Sequence, residues 1–300
     1  MASVPHSSMS RPALVVRRRP EQSGQVRRGI ASAGLDGTGR MAGGAGAMVR
    51  GMHATIRTDL TRGPTGGLTA GLTRKTVGVR VTLPSGTPAE VAATPGARRG
   101  LVIAPDIFGL RPLYDEMVAR LAREWGVAVA AVEPFPGRTL GPEIEPRVAQ
   151  VPTLDDDAHL RDLEEAAAHL GTPRVGLMGF CMGGMYCFKS VRSARFDRIA
   201  SFYGMIRVPE AWRAAGQREP LGYLGETEGT NADRVLAILG GRDRYTPPDD
   251  VRSLRLTGTT VVLYEEADHA FAHDPARPVH RAEDAADAFA RARDWLAATA

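Results

Sequence analysis

Arg174-Val-Gly-Leu-Met-Gly-Phe-Cys-Met-Gly-Gly-Met185 carries two signals at once. Val175, Leu177 and Met178 form an apolar run long enough for a buried strand, and the glycines after it mark an abrupt change of backbone direction, so a strand is expected to end at Gly179. From Gly179 to Gly183 the pattern is Gly-x-Cys-x-Gly, the thiol counterpart of the Gly-x-Ser-x-Gly elbow in which a tight strand-to-helix turn holds a nucleophile above a sheet. Glycines two residues to either side let neighbouring backbone approach. Met182 to Lys189 can then start a helix whose positive N-terminal end lies beside the sulfur and favours thiolate. Cys181 is therefore a candidate nucleophile. The alternative is an ordinary buried cysteine, the commoner fate of an isolated one, so the decision rests on the rest of the chain.

The chain has 300 residues, 43% of them hydrophobic, enough for one large domain with a sizeable core or for two small ones. No segment approaches the roughly 18 consecutive apolar residues of a membrane helix. A soluble protein is expected. Its two cysteines, Cys181 and Cys187, lie on one predicted turn and helix facing different directions, so no disulfide framework is expected, and scarce cysteine fits a reducing, cytoplasmic setting. The net charge of +4 suggests nucleic acid until it is located. Residues 1–60 hold nine arginines against Glu21, Asp36 and Asp59, so removing their +6 leaves the remainder at −2. Nucleic-acid binding by that mildly acidic remainder loses its support.

Residues 1–72 are rich in Gly, Ala, Ser, Thr and Arg with no sustained hydrophobic period, and read as a disordered extension preceding a domain over 73–300. No apolar stretch follows Arg17-Arg18-Arg19, against a secretory signal. An Arg-rich, acid-poor segment also suits a transit peptide, but an over-long start is preferred, because Met41, Met48 and Met52 each precede the whole domain.

Within the domain, Thr76–Leu83 alternates with period two and reads as a strand, and Leu101–Ala104 is a short apolar strand running into Pro105-Asp-Ile-Phe-Gly109. Leu113, Met117, Leu121 and Trp125 recur every four residues and predict a helix over about 111–125, ended by Gly126. Val127–Val132 is the next strand, followed by a loop of about twenty residues. Asp155, Asp156 and Asp157 open a helix faced by Leu160, Leu163, Ala167 and Leu170, with His159 and His169 expected at its solvated surface. Strands are expected at 199–203, 235–239 and 259–264, and helices at 248–256 and 281–298. Strands alternating with helices imply an α/β fold, a mainly parallel sheet covered on both faces.

In such a sheet the chemistry collects at the carboxyl ends of strands. After Leu239 comes Gly-Gly-Arg-Asp243, and after Tyr264 comes Glu-Glu-Ala-Asp-His269. A thiol needs a base near neutral pH, which imidazole supplies, and a carboxylate on the other ring nitrogen fixes the tautomer. Cys181, His269 and Asp243 fill those roles in the order nucleophile, acid, histidine. Taken singly, Asp243 could cap a helix beginning near Pro247 and His269 could pack beside Phe271. Asp268 or Glu266 could replace Asp243 in principle, but residues so close in sequence to His269 rarely reach round to its ring.

The chain resembles the dienelactone hydrolase family of α/β-hydrolases over about residues 76–298, through Val-Ile-Ala-Pro-Asp-Ile-Phe-Gly109, Gly-Leu-Met-Gly-Phe-Cys-Met-Gly-Gly184, Leu-Gly-Gly-Arg-Asp243 and Tyr-Glu-Glu-Ala-Asp-His-Ala-Phe271. The resemblance implies a triad of Cys181, Asp243 and His269, an oxyanion hole from the backbone amides of Ile107 and Met182, and no metal or organic cofactor. It also implies a carboxylate, typically Glu, that pairs with the cysteine. Here that position is Asp106, one methylene shorter, which alternatively shapes the loop. Dienelactone-specific members are expected to carry an Arg four residues after the catalytic His, where this chain has His273, without Arg's bidentate fork. Arg147 in the long loop and Tyr203 complete the candidate substrate contacts. The expected function is hydrolysis of an ester or lactone through a cysteine acyl-enzyme, of carboxymethylenebutenolidase type, by a monomer. The alternatives are a broad carboxylesterase or thioesterase, or a binding protein that keeps the pocket without turnover.

Overall fold

Short, largely apolar runs become the inner strands of one eight-stranded sheet. The structure, a computed structural model, describes residues 78–225 and 231–298, so the extension expected over 1–72 lies outside the described residues. The strands are β1 (Val79–Thr82), β2 (Pro88–Ala92), β3 (Arg99–Ala104), β4 (Ala128–Val132), β5 (Arg174–Phe180), β6 (Arg198–Phe202), β7 (Val235–Gly240) and β8 (Thr260–Tyr264), in the spatial order β1-β2-β4-β3-β5-β6-β7-β8. The first two pairings are antiparallel and the rest parallel. The inner parallel strands bury both faces, so in β3 Leu101 and Ile103 pack on one side while Val102 and Ala104 pack on the other.

The helices are α1 (Pro112–Trp125), α2 (Ile144–Gln150), α3 (Asp156–His169), α4 (Met182–Lys189), α5 (Pro220–Gly225), α6 (Pro248–Leu256) and α7 (Ala282–Ala297). Residues of α1 and α7 cover one face of the sheet, and residues of α3, α4, α5 and α6 the other. After β3 the chain goes first to β4 on one side and then to β5 on the other, so the strand order reverses between β3 and β5. The crevice at the carboxyl ends of those two strands is where a doubly wound sheet accepts a ligand. Residues 105–109 and Cys181 lie there.

Most element boundaries agree with the sequence to within two residues. Helix α1 begins with Pro112 in its first turn and stops at Gly126, whose φ of 66° is the left-handed conformation glycine supplies at a helix end. Asp155 caps α3 by accepting from the Ala158 amide at 2.8 Å. Several elements were not expected. Strand β2, Pro-Ala-Glu-Val-Ala, has one β-branched residue and a proline at its start, and it is ordered by its partners β1 and β4 rather than by propensity. Helix α2 and a 3₁₀ turn at Val151–Thr153 occupy the segment expected to be loop, and α5 follows Pro220.

His159 corrects a second expectation, because it is 4% exposed, whereas His169 is exposed. The buried stripe of α3 runs through Asp156, His159, Asp162, Leu163, Ala166 and Ala167, one residue earlier in phase than the leucines suggested. Each of its polar members has a partner. The Lys189 ammonium donates to Asp156 Oδ1 at 2.8 Å, the Thr87 hydroxyl donates to Asp162 Oδ2 at 2.9 Å, and the His159 ring packs on Tyr186 with centroids 4.2 Å apart. Burial and then the Lys189 charge push the His159 pKa down to about 4, so the ring is neutral at pH 7. No helix among the described residues is long and apolar enough to cross a membrane.

Candidate active site

Cys181 sits on the turn that joins β5 to α4, at φ 55° and ψ −114°, a conformation sparsely populated for any residue with a side chain. The turn is held by its backbone, with the Cys181 amide donating to the Phe202 carbonyl and the Met185 amide donating to the Cys181 carbonyl, each at 3.0 Å. The flanking glycines are sterically required. A Cβ on Gly179 would lie 2.3 Å from the Gly183 carbonyl oxygen, and one on Gly183 would lie 2.0 Å from that of Ala104. Only without those side chains do β3, β5 and α4 approach closely enough to form the elbow. The sulfur is half-buried beside the first turn of α4, where unpaired amides and the helix dipole favour an anion. Cys187, in contrast, is fully buried, and burial pushes its thiol well up.

His269 and Asp243 come from the loops after β8 and β7, and the structure brings them together: His269 Nδ1 lies 2.7 Å from Asp243 Oδ2. The other carboxylate oxygen of Asp243 accepts from the Tyr245 amide at 2.8 Å, and α6 begins without a side-chain cap, so Asp243 does not serve as one. Asp268 is turned to the amide of His269, and Glu266 pairs with Arg242. Neither replaces Asp243. Burial alone would lower the His269 pKa, but the charge of Cys181 and hydrogen bonds to Asp243 and Cys181 outweigh it and push it up to about 10. The raised value favours a protonated ring beside the sulfur, the partner a thiolate would need. In Cys181→Ala the His269 ring is expected to titrate at lower pH, since the largest raising influence is gone. The midpoint followed on its Cε1 proton by NMR checks this, and an unchanged midpoint contradicts it.

Residues 105–111 form the opposite wall. The Asp106 carboxylate receives four donors: the Phe108 amide at 3.0 Å and Arg111 Nη1 at 2.7 Å on Oδ1, and Arg111 Nη2 at 2.9 Å and His273 Nε2 at 2.7 Å on Oδ2. Burial would raise its pKa, but the His273 and Arg111 interactions hold it well below the usual carboxylate range. Its hydrogen bonds go to Arg111, His273 and its own loop, and it lines the same pocket as Cys181. The Ile107 amide, next in the chain, donates to no backbone carbonyl among the described residues. Met182 opens α4, where a helix has no internal acceptor for its amide.

The three expected substrate contacts are not in the pocket lining. His273 is 4% exposed and sits between Asp106 and the Tyr203 hydroxyl, 2.6 Å from its Nδ1. Tyr203 is fully buried, with the edge of its ring against His269 at a centroid distance of 5.3 Å. Arg147 spends its guanidinium on the carbonyls of Gly141, Leu140 and Ile107, at 3.0, 3.0 and 3.2 Å, and so ties the long loop to the β3 loop.

What surrounds Cys181 and His269 is a pocket of about 560 Å³ with mainly apolar walls, including Phe108, Val148, Met205, Trp212 and Tyr245. Arg277 also lines it, partly buried and with no side-chain hydrogen bond or ion pair to a described residue. Of its other cations, Arg242 pairs with Glu266 and Arg244 lies over the Tyr245 ring. Sequence reasoning missed Arg277 because residues 274–280 have no periodicity from which its direction could be read.

The family model described as the dienelactone hydrolase family matches residues 88–300. Carboxymethylenebutenolidase of Pseudomonas putida is 29% identical over 240 residues, covering 74% of this chain and 91% of that protein. Carboxymethylenebutenolidase of Rhodococcus opacus is 25% identical over 201 residues, covering 64% and 77%. A crystal structure bearing the dienelactone hydrolase name, from Klebsiella pneumoniae, superposes with a TM-score of 0.62 at 24% identity, covering 75% of this chain and 99% of that one, a likeness of fold.

Proposed function

The chain belongs to the dienelactone hydrolase family, enzymes that hydrolyse ester or lactone bonds, and we propose that it does so through a thioester on Cys181. What carries this reading is the convergence of Cys181, His269 and Asp243 at one end of the sheet, with Cys181 and His269 lining one pocket and Asp243 bonded to the His269 ring. The Cys181 thiolate attacks the substrate carbonyl carbon, and the resulting oxyanion accepts hydrogen bonds from the Ile107 and Met182 amides. Collapse breaks the acyl C–O bond, and His269 gives its proton to the departing alkoxide, which in a lactone stays tethered to the acyl group. Water, deprotonated by His269, then attacks the thioester, and the thiolate leaves as the acid forms. Each oxyanion donor in such a site is worth about 3 kcal/mol of barrier.

The pocket bears on the substrate. At about 560 Å³ with Trp212 and Tyr245 in its walls, it accommodates an aryl or larger acyl group, which favours the broad carboxylesterase as a second reading. Any carboxylate on the substrate would find its cation in Arg277 rather than in His273. Initial rates on a dienelactone, a γ-lactone and a matched pair of aryl esters with and without a carboxylate test both points. Turnover that iodoacetamide abolishes is expected. Arg277→Ala is expected to raise KM about tenfold for the charged substrates and to leave the neutral ester unchanged, a loss of the size of one charge-assisted hydrogen bond. Equal effects on both esters contradict the role of Arg277, and turnover resistant to alkylation contradicts the thiol mechanism.

A further inference from the structure

The loop that carries the base and the loop that carries an oxyanion amide meet through side chains almost fully shielded from water. His269 and His273 belong to one segment after β8, and between them Ala270, at φ 64°, turns the chain so that the two rings face different surroundings. His269 faces the pocket. His273 points inward, stacked on Phe180 at a centroid distance of 5.0 Å, and its Nε2 lies 2.7 Å from Asp106, the residue before Ile107. Its Nδ1 lies 2.6 Å from the Tyr203 hydroxyl, and the tautomer with the proton on Nε2 satisfies both contacts, donating to Asp106 and accepting from Tyr203.

Asp106 is itself fixed at its backbone, where its amide lies 2.8 Å from the Tyr114 hydroxyl, and through the two-pronged Arg111 contact. His273 thus links the histidine segment directly to this loop, and both its side chain and that of Asp106 are almost fully shielded from water. A hydrogen bond to a carboxylate in such surroundings resists the loosening that water would allow.

We propose that His273 is a positioning residue for the oxyanion hole: its bond to Asp106 sets the Ile107 amide relative to Cys181 and His269. This rests on the reading of Cys181 as nucleophile and deepens it. The oxyanion exists only after attack, so misplacing its donor raises the barrier without weakening substrate binding. A shift of about 1 Å in such a group costs about 100-fold. Arg277 keeps its place in the pocket wall and the alkylation chemistry of the thiol is untouched, because displacement of iodide from iodoacetamide by thiolate forms no oxyanion.

The test compares kcat, KM and the rate of Cys181 alkylation by iodoacetamide in the unaltered enzyme, His273→Phe, His273→Asn and His273→Gln, with melting temperatures for each and Cys181→Ala as control. Phenylalanine removes the donor, and asparagine, too short to reach Asp106, does so while keeping a polar side chain should the phenylalanine variant fail to fold. Glutamine places an amide N–H near the position of Nε2. The expected result is a kcat lower by about 100-fold in the Phe or Asn variant at little-changed KM and alkylation rate, with at least partial rescue in His273→Gln. Alkylation falling in step with kcat overturns the proposal, since His273 would then act on the thiol and its base. An unchanged kcat in a folded variant also overturns it, while Cys181-dependent turnover in the unaltered enzyme keeps the thiol reading standing. Turnover that persists in Cys181→Ala overturns both.

Discussion

Cys181→Ala is expected to lower kcat/KM on an activated aryl ester by about 10⁴-fold or more while leaving the protein folded. The elbow is built by backbone bonds and by the absence of side chains on Gly179 and Gly183, none of which depends on the sulfur. Alanine has the same backbone restrictions as cysteine at φ 55°, so it adds no new strain to that already held there. What disappears is the covalent route. The Ile107 and Met182 amides and the pocket remain, so any residual hydrolysis would measure what oxyanion stabilisation and binding supply to attack by water alone. His269→Ala is expected to be nearly as damaging, and the double variant no worse than the more damaged single one, because the two residues act as a unit. Progress curves at saturating and sub-saturating ester check all three. Activity within tenfold of the unaltered enzyme in Cys181→Ala would contradict the assignment.

The second large effect concerns stability. Gly183→Ala is expected to destabilise the domain by about 3 kcal/mol or more, or to prevent folding, because its Cβ would lie 2.0 Å from the Ala104 oxygen and 2.5 Å from the Pro105 oxygen. Both obstacles are backbone, in the strand and loop that lead to Asp106, and cannot rotate away as a flexible side chain would. Relief would require α4 to lift from β3, opening the crevice that contains the site. A loss of that size corresponds to a fall in Tm of roughly 6–12 °C for a domain of this size. Gly141→Ala, where an added Cβ meets nothing within 4 Å, serves as the control and is expected to melt within about a degree of the unaltered protein. Equal melting temperatures for the two variants would contradict the steric account.

The same elbow explains why so much was legible in the sequence. A strand that must stop, a side chain held at the tip of a tight turn and a helix that must pack closely each demand a residue type, so Gly179, Cys181 and Gly183 report their geometry directly. Asp243 and His269 were legible because each follows an apolar run at the carboxyl end of a strand, where the sheet leaves side chains free to converge. Helix α1 was legible because Pro112 and Gly126 mark its ends and its stripe is apolar. Where the local signal was weak, tertiary context decided. Strand β2 is a strand because β1 and β4 pair with it, and the buried phase of α3 was hidden because Asp156, His159 and Asp162 are polar residues whose partners, Lys189, Tyr186 and Thr87, are distant in sequence. His273 shows the limit most clearly. Its spacing from His269 places it in the right loop, but the left-handed turn at Ala270 aims it at Asp106, and spacing says nothing of direction. Asp106 was left open between the thiol and its own loop for the matching reason: which of several nearby donors a carboxylate takes is settled by packing, and Arg111 and His273 take this one.

The most direct measurement is the mass of the protein quenched in acid during the first turnover of an aryl ester, followed by peptide mapping of the adduct. A gain of one acyl group located on Cys181, absent from Cys181→Ala and decaying at the rate of product acid formation, is the predicted result. Hydrolysis through that first turnover with the acyl group found on another residue, or at an equal rate in Cys181→Ala, would contradict the cysteine acyl-enzyme.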